Sequence, residues 1–139
     1  MGEGEANKAV VLEYVAAFNR GDTDGLRRLF TADAVIHGVL GSGGLDVALP
    51  IWQELHGAFR VALTVEEIVA EGDRVAVRYT ERGTFTGPFR GTPPTGRSYQ
   101  LVAMEWFHLR EGRIAARWGA RDSAAQMRQV SVPAADATP

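Results

Sequence analysis

Residues 98–122 read SYQLVAMEWFHLREGRIAARWGARD, and this stretch decides the fold. Apolar and polar residues alternate in it with a period of two, the mark of strands rather than helices. Ser98 to Leu109 reads as a long strand, Glu111-Gly112 as a tight turn, and Arg113 to about Asp122 as the last strand. On the first strand Gln100, Val102, Met104, Trp106 and His108 share a face. On the second, Ile114, Ala116, Trp118 and Ala120 share one face, and Arg113, Arg117 and Arg121 share the other with Ala115 and Gly119. The apolar face is expected to turn inward and the arginine face to meet solvent or a neighbouring subunit.

Upstream, Arg74 to Phe85 alternates in the same way, with Val75, Val77 and Tyr79 opposite Arg74, Arg78 and Arg82. Leu63 to Val69 precedes it across a Glu71-Gly72-Asp73 hairpin turn. A loop with three glycines and three prolines runs from Gly87 to Gly96. Before residue 60 the period is 3.6. Residues 6–20 carry Val11, Tyr14, Val15 and Phe18 on one helical stripe, and Gly21 is placed to end that helix. Asp22 or Thr23 then caps a short second helix with Leu26, Leu29 and Phe30 inward. Thr31-Ala32-Asp33 reads as a turn and Ala34 to His37 as a short strand. Gly38 to Gly44 holds four glycines and reads as a loop. A third helix runs to about Phe59, beginning near Leu49 or kinked at Pro50. Helices followed by a strand meander give an α+β class: N-terminal helices over one face of a curved antiparallel sheet, enclosing a cone-shaped pocket.

The chain of 139 residues suits a single domain, with residues 6–130 as its ordered body and 131–139 as a tail. Its formal net charge of −2 gives no reason to expect nucleic acid. The absence of cysteine excludes disulfides, a thiolate nucleophile and Cys-ligated metal. No apolar run approaches the roughly 20 residues of a membrane span. The acidic start lacks the basic, then apolar, pattern of a secretion signal. The expectation is a cytoplasmic protein without metal or organic cofactor. Its three histidines have no ligand spacing.

Asp122 continues the apolar face of the last strand. If the strand reaches it, it is a partly desolvated carboxylate at the end of a pocket row, strengthened as a base. If the strand has ended, it caps the segment Ser123 to Met127. His108 sits near the turn, either exposed or positioned to assist a carboxylate. Met104, Trp106 and Trp118 read as pocket wall or as core. His37 caps a loop or faces the pocket mouth. His56 reads as surface, Glu105 as an outward partner for an arginine, and Tyr14 as core with a hydroxyl able to reach a pocket. Trp52 and Phe59 from the third helix, and Phe85 from the end of the second meander strand, complete the expected substrate wall.

These elements also carry a resemblance. Phe18-Asn19-Arg20-Gly21-Asp22, Glu71-Gly72-Asp73-Arg74-Val75, Gly91-Thr92-Pro93-Pro94-Thr95-Gly96-Arg97, and Glu111-Gly112-Arg113-Ile114 before Trp118 and Asp122 resemble the SnoaL-like polyketide cyclases of the NTF2-like superfamily, over roughly residues 8–130. The resemblance implies an NTF2-like cone and a cofactor-independent intramolecular aldol closure of an anthracycline-type polyketide precursor. It assigns the acid/base role to Asp122 with His108 assisting. It also implies a hydrophobic small-molecule partner and a homodimer or homotetramer. Two positions depart from the family pattern. Phe85 stands where many relatives carry histidine, and Gly119 where many carry an acidic residue. Hydroxylases, isomerases, epoxide-opening enzymes and binding domains share the fold, so the fold is implied more firmly than the reaction.

Overall fold

A computed structural model of the chain describes residues 2–131. The expected tail beyond Ser131 lies outside the described residues. The elements are α1 (Glu3–Arg20), α2 (Thr23–Arg28), β1 (Phe30–Gly38), β2 (Gly41–Gly43), α3 (Leu45–Phe59), β3 (Ala62–Glu71), β4 (Arg74–Thr84), β5 (Ser98–Arg110), β6 (Arg113–Arg121) and α4 (Ser123–Val130). The strands form one six-stranded sheet in the order β2-β1-β6-β5-β4-β3. Neighbouring strands run antiparallel except β1 and β6, which are parallel.

Local chemistry sets the boundaries. Gly21 takes a left-handed conformation (φ 67°), and the Gly21 and Asp22 amides donate to Phe18 and Ala17 carbonyls, closing α1. The Asp22 carboxylate accepts from the Gly25 amide at 2.9 Å and starts α2. That amide, with Arg20, holds the Asp22 carboxyl below its usual range. Glu111 (φ 51°) and Gly112 (φ 78°) make the two-residue turn between β5 and β6.

Four boundaries differ from expectation. α1 begins at Glu3 rather than near residue 6, so residues 3–5 are helical. Thr31 to Asp33 belongs to β1, whose irregular register between Phe30 and Val35 absorbs the expected turn. The glycine-rich stretch after it contains the short strand β2. α3 begins at Leu45 rather than near Leu49, so of the two readings of this helix the one with Pro50 inside it holds.

The helices cover the inward face of the sheet. Val11, Tyr14 and Phe18 of α1, Leu49, Trp52 and Phe59 of α3, and Val75, Val77 and Phe107 of the sheet are all buried in one core. Register irregularities in β1, β3 and β6 supply the bends that curve the sheet around this core.

Candidate active site

The site depends on one extra residue. Across the β5–β6 pair, Leu109 lies opposite Ile114, but His108 lies opposite Ala116. Ala115 therefore has no partner and forms a β-bulge. One additional residue exchanges the faces of everything that follows. Ile114 points inward and is fully buried. Beyond the bulge it is Arg117, Gly119 and Arg121 that face inward, opposite Phe107, Glu105 and Ala103. The expectation of outward arginines on β6 is thus corrected for Arg117 and Arg121, while Arg113, before the bulge, is exposed as expected.

The faces of β5 are corrected too. Tyr99, Leu101, Ala103, Glu105, Phe107 and Leu109 are buried, while Met104 and Trp106 stand about half exposed. Both faces of β5 are apolar, so alternation alone could not orient it. Pairing with β4 orients it, since Val75, Val77 and Tyr79 lie opposite Phe107, Glu105 and Ala103.

This arrangement brings two similar polar modules onto the inward face. In one, Glu81 of β4 accepts from Arg121 Nε at 3.0 Å and from the Tyr99 hydroxyl at 2.6 Å. Arg121 also donates to Glu81 Oε2 and to Gln126 of α4. Both oxygens of Glu81 are therefore engaged. In the other, Glu105 Oε2 accepts from the Tyr14 hydroxyl of α1 at 2.8 Å and from Arg117 Nε. Arg117 also donates to the His37 carbonyl at 3.2 Å and lies over the Trp52 ring, 5.6 Å from its centre. Here Glu105 Oε1 has no hydrogen-bond partner. Nor has the hydroxyl of Tyr79 a well-formed bond, although it lies close enough to the same carboxylate to be coupled to it by charge and hydrogen bonding. The Glu81 carboxylate is thus fully engaged, with only Gln126 Nε2 beside it left unpaired, whereas the Glu105 carboxylate keeps one oxygen available.

Both modules line a cavity of about 70 Å³ between the sheet, α1, α3 and the β1–β2 turn. Its other walls are apolar, including Phe18, Ile36, Ile51 and Leu55. Glu105 and Tyr79 are 6% and 1% exposed. Burial first, and then the Glu105 charge, push the Tyr14 and Tyr79 phenols well above their ordinary range. Burial and the Glu81 charge do the same to Tyr99. Burial works against the Arg117 charge, but Glu105 more than restores it, and its pKa is raised. The cavity thus holds neutral phenol donors and fixed guanidinium charge around one carboxylate with a free lone pair. Among the described residues no group of His, Asp or Glu could hold a metal ion.

The sequence candidates separate around this cavity. Tyr14 and Trp52 line it directly, and Met104 borders it while its side chain stands half exposed. Asp122 is not in the lining. Its carboxylate accepts from the Ala125 amide at 2.9 Å and caps α4, as the second reading of its spacing had it. His108 lies on the outer face, its ring 4.7 Å from that of Trp118. Burial and nearby Arg74 lower its pKa. His37 stacks on the other flank of Trp118, with 5.1 Å between ring centres, and only its carbonyl reaches the site. Trp106 faces Trp118 across the outer side of the β5–β6 pair. Phe59 and Phe85 pack on each other at 4.8 Å, among core residues outside the lining. His56 is partly buried against the Phe18 carbonyl. Sequence reading took Glu105 for an arginine's partner, which it is, but placed it outside. It missed Tyr79, Arg117, Glu81 and Arg121 as cavity residues.

The family model described as SnoaL-like polyketide cyclase matches residues 8–130. The chain belongs to the SnoaL-like polyketide cyclase family. Similar solved structures agree with the NTF2-like cone. IdmH of Streptomyces antibioticus, described as a candidate polyketide cyclase, is 33% identical, covering 91% of this chain and 99% of its own, with a TM-score of 0.82. AclR of Streptomyces galilaeus, described as a candidate hydroxylase, is 29% identical over 91% of this chain and 97% of its own, with a TM-score of 0.81. A candidate SnoaL-like polyketide cyclase from Jannaschia sp. CCS1 is 25% identical over 96% of each chain, with a TM-score of 0.86. No curated protein sequence matches this family member. Among its described residues no helix is long and apolar enough to cross a membrane.

Proposed function

We propose that this SnoaL-like chain closes a ring in an aromatic polyketide precursor by intramolecular aldol addition, with Glu105 as the acid/base group. The observation that carries this reading is that Glu105 Oε1 and the Tyr79 hydroxyl coupled to it have no other partner in an apolar cavity. Glu105 Oε1 takes the proton from a carbon between two carbonyls. The resulting enolate carbon attacks a third carbonyl of the same molecule. The new carbon–carbon bond leaves an alkoxide, which recovers the proton from Glu105. Tyr79, as a neutral phenol, donates a hydrogen bond to the developing oxyanion, and the fixed charge of Arg117 lowers its energy. The substrate is neutral at its buried end, because each guanidinium in the cavity already has its carboxylate. A second copy of the chain is the protein partner, docked on the outer sheet face.

The test sets Glu105 against the residue the resemblance assigns. Glu105→Asp keeps the charge but withdraws it by one methylene, and is expected to lower turnover of a linear aromatic polyketide about a hundredfold. Asp122→Asn, which still caps a helix, is expected to keep most of the activity. The opposite pattern returns the acid/base role to Asp122. The similarity to AclR supports a hydroxylase as the second reading. Ring closure that proceeds without oxygen decides against it.

A further inference from the structure

Gly119 stands in the middle of β6, where a glycine weakens a strand and contributes no packing. Its backbone does not require it, since it is not among the residues with positive φ. What requires it is space. A Cβ built at this position would lie 2.5 Å from Cζ of Arg117 and 2.8 Å from its Nη1, with Nη2 nearest of all. At such distances something must shift, and the atoms in the way belong to a guanidinium that is tied in place. Arg117 is held at once by Glu105, by the His37 carbonyl and by the Trp52 ring. The guanidinium folds back along its own strand and rests on the bare backbone of Gly119, directly opposite Glu105.

We infer that Gly119 is a positioning residue: its missing side chain is the seat that holds the Arg117 guanidinium against Glu105. The inference rests on Glu105 as the reactive group for its functional meaning. Its geometry concerns the guanidinium alone. Any side chain at 119 displaces the charge from Oε2 of Glu105 and loosens the tie to the end of β1. The companion module has no such dependence. Arg121 reaches Glu81 from the next inward position, and the three atoms nearest a Cβ at 119 all belong to Arg117.

That contrast supplies the test, which needs no substrate and so fails independently of the proposed reaction. Arg117 and Arg121 each donate a buried Nε–H to a carboxylate. In the 15N-labelled whole protein both Nε–H signals are expected to exchange slowly with solvent, and Arg117→Lys identifies the first by removing it. Gly119→Ala is expected to speed exchange at Arg117 by about tenfold or more and to leave Arg121 unchanged. Unchanged exchange at Arg117 overturns the inference. So does equal acceleration at both arginines in a folded protein. If Gly119→Ala does not fold, the double variant with Arg117→Lys decides: a folded double variant supports the inference, and an unfolded one overturns it.

Discussion

All three tyrosines of the chain point inward, and each one touches or faces a buried carboxylate. Burial raises each phenol pKa, and the neighbouring negative charge raises it further. In the unfolded chain a tyrosine ionises near pH 10. Above that pH the unfolded chain has lost protons that the folded chain still holds. Stability therefore falls as pH rises past about 10, and is unaffected by these groups below it. Titration of tyrosinate absorbance should show no ionisation at the ordinary phenol pKa. All three should ionise together in one steep step that coincides with loss of near-UV circular dichroism. A gradual rise near pH 10 in the folded protein would mean that at least one phenol is solvated. The same property suits the proposed chemistry, because a phenol that stays neutral remains a donor.

At the scale of elements, β6 marks the limit of what the sequence made legible. The helices, the hairpin turns and the class of the fold follow from periodicity and capping residues, and so does the β4 face bearing Val75, Val77 and Tyr79. Asp122 as a cap was one of the two readings of its spacing. The face that lines the cavity was hidden because strand alternation assumes an unbroken register. Ala115 breaks it without a glycine or proline to mark the place. The ambiguity was also energetic, since a row of Ile, Ala, Trp and Ala looks more burial-prone than one bearing arginines. Buried carboxylates on neighbouring strands reverse that preference, and their pairing with the arginines is visible only once strand order is known. Deleting Ala115 removes only the extra residue and leaves Ile114, Ala116 and Arg117 in plain alternation, so both guanidinium groups still face inward. Removing an arginine has the larger effect, since Arg121→Leu leaves Glu81 buried and unpaired, at a cost of about 3–5 kcal/mol. That loss is a large share of the stability of a domain this size. The deletion variant should keep a cooperative thermal transition, whereas Arg121→Leu should unfold at a clearly lower temperature. Loss of the cooperative transition on deletion would show that the bend supplied by Ala115 is itself indispensable.

At the scale of the whole molecule, the faces that β5 and β6 turn away from the cavity leave an apolar surface. Val102, Met104 and Trp106 are 52%, 51% and 48% exposed, and Trp118 is 39% exposed between the rings of His37 and His108. These side chains lie on adjacent strands, so the patch is contiguous, with Trp106 directly opposite Trp118. Soluble monomers rarely leave such a patch uncovered. Exposed tryptophan and methionine are also the residue types enriched at the centre of protein interfaces. A second copy docked here would bury both tryptophans while leaving the cavity untouched, since the cavity lies on the other side of the sheet. Sedimentation of the parent protein should give twice the mass of one chain. Trp106→Glu places a charge at the centre of the patch without entering the core. It should yield a monomer with parent-like circular dichroism, and it should retain the Glu105–Arg117 pair, which faces the other way. A monomeric parent would remove the second copy as partner. A dimeric Trp106→Glu variant would move the contact to another face.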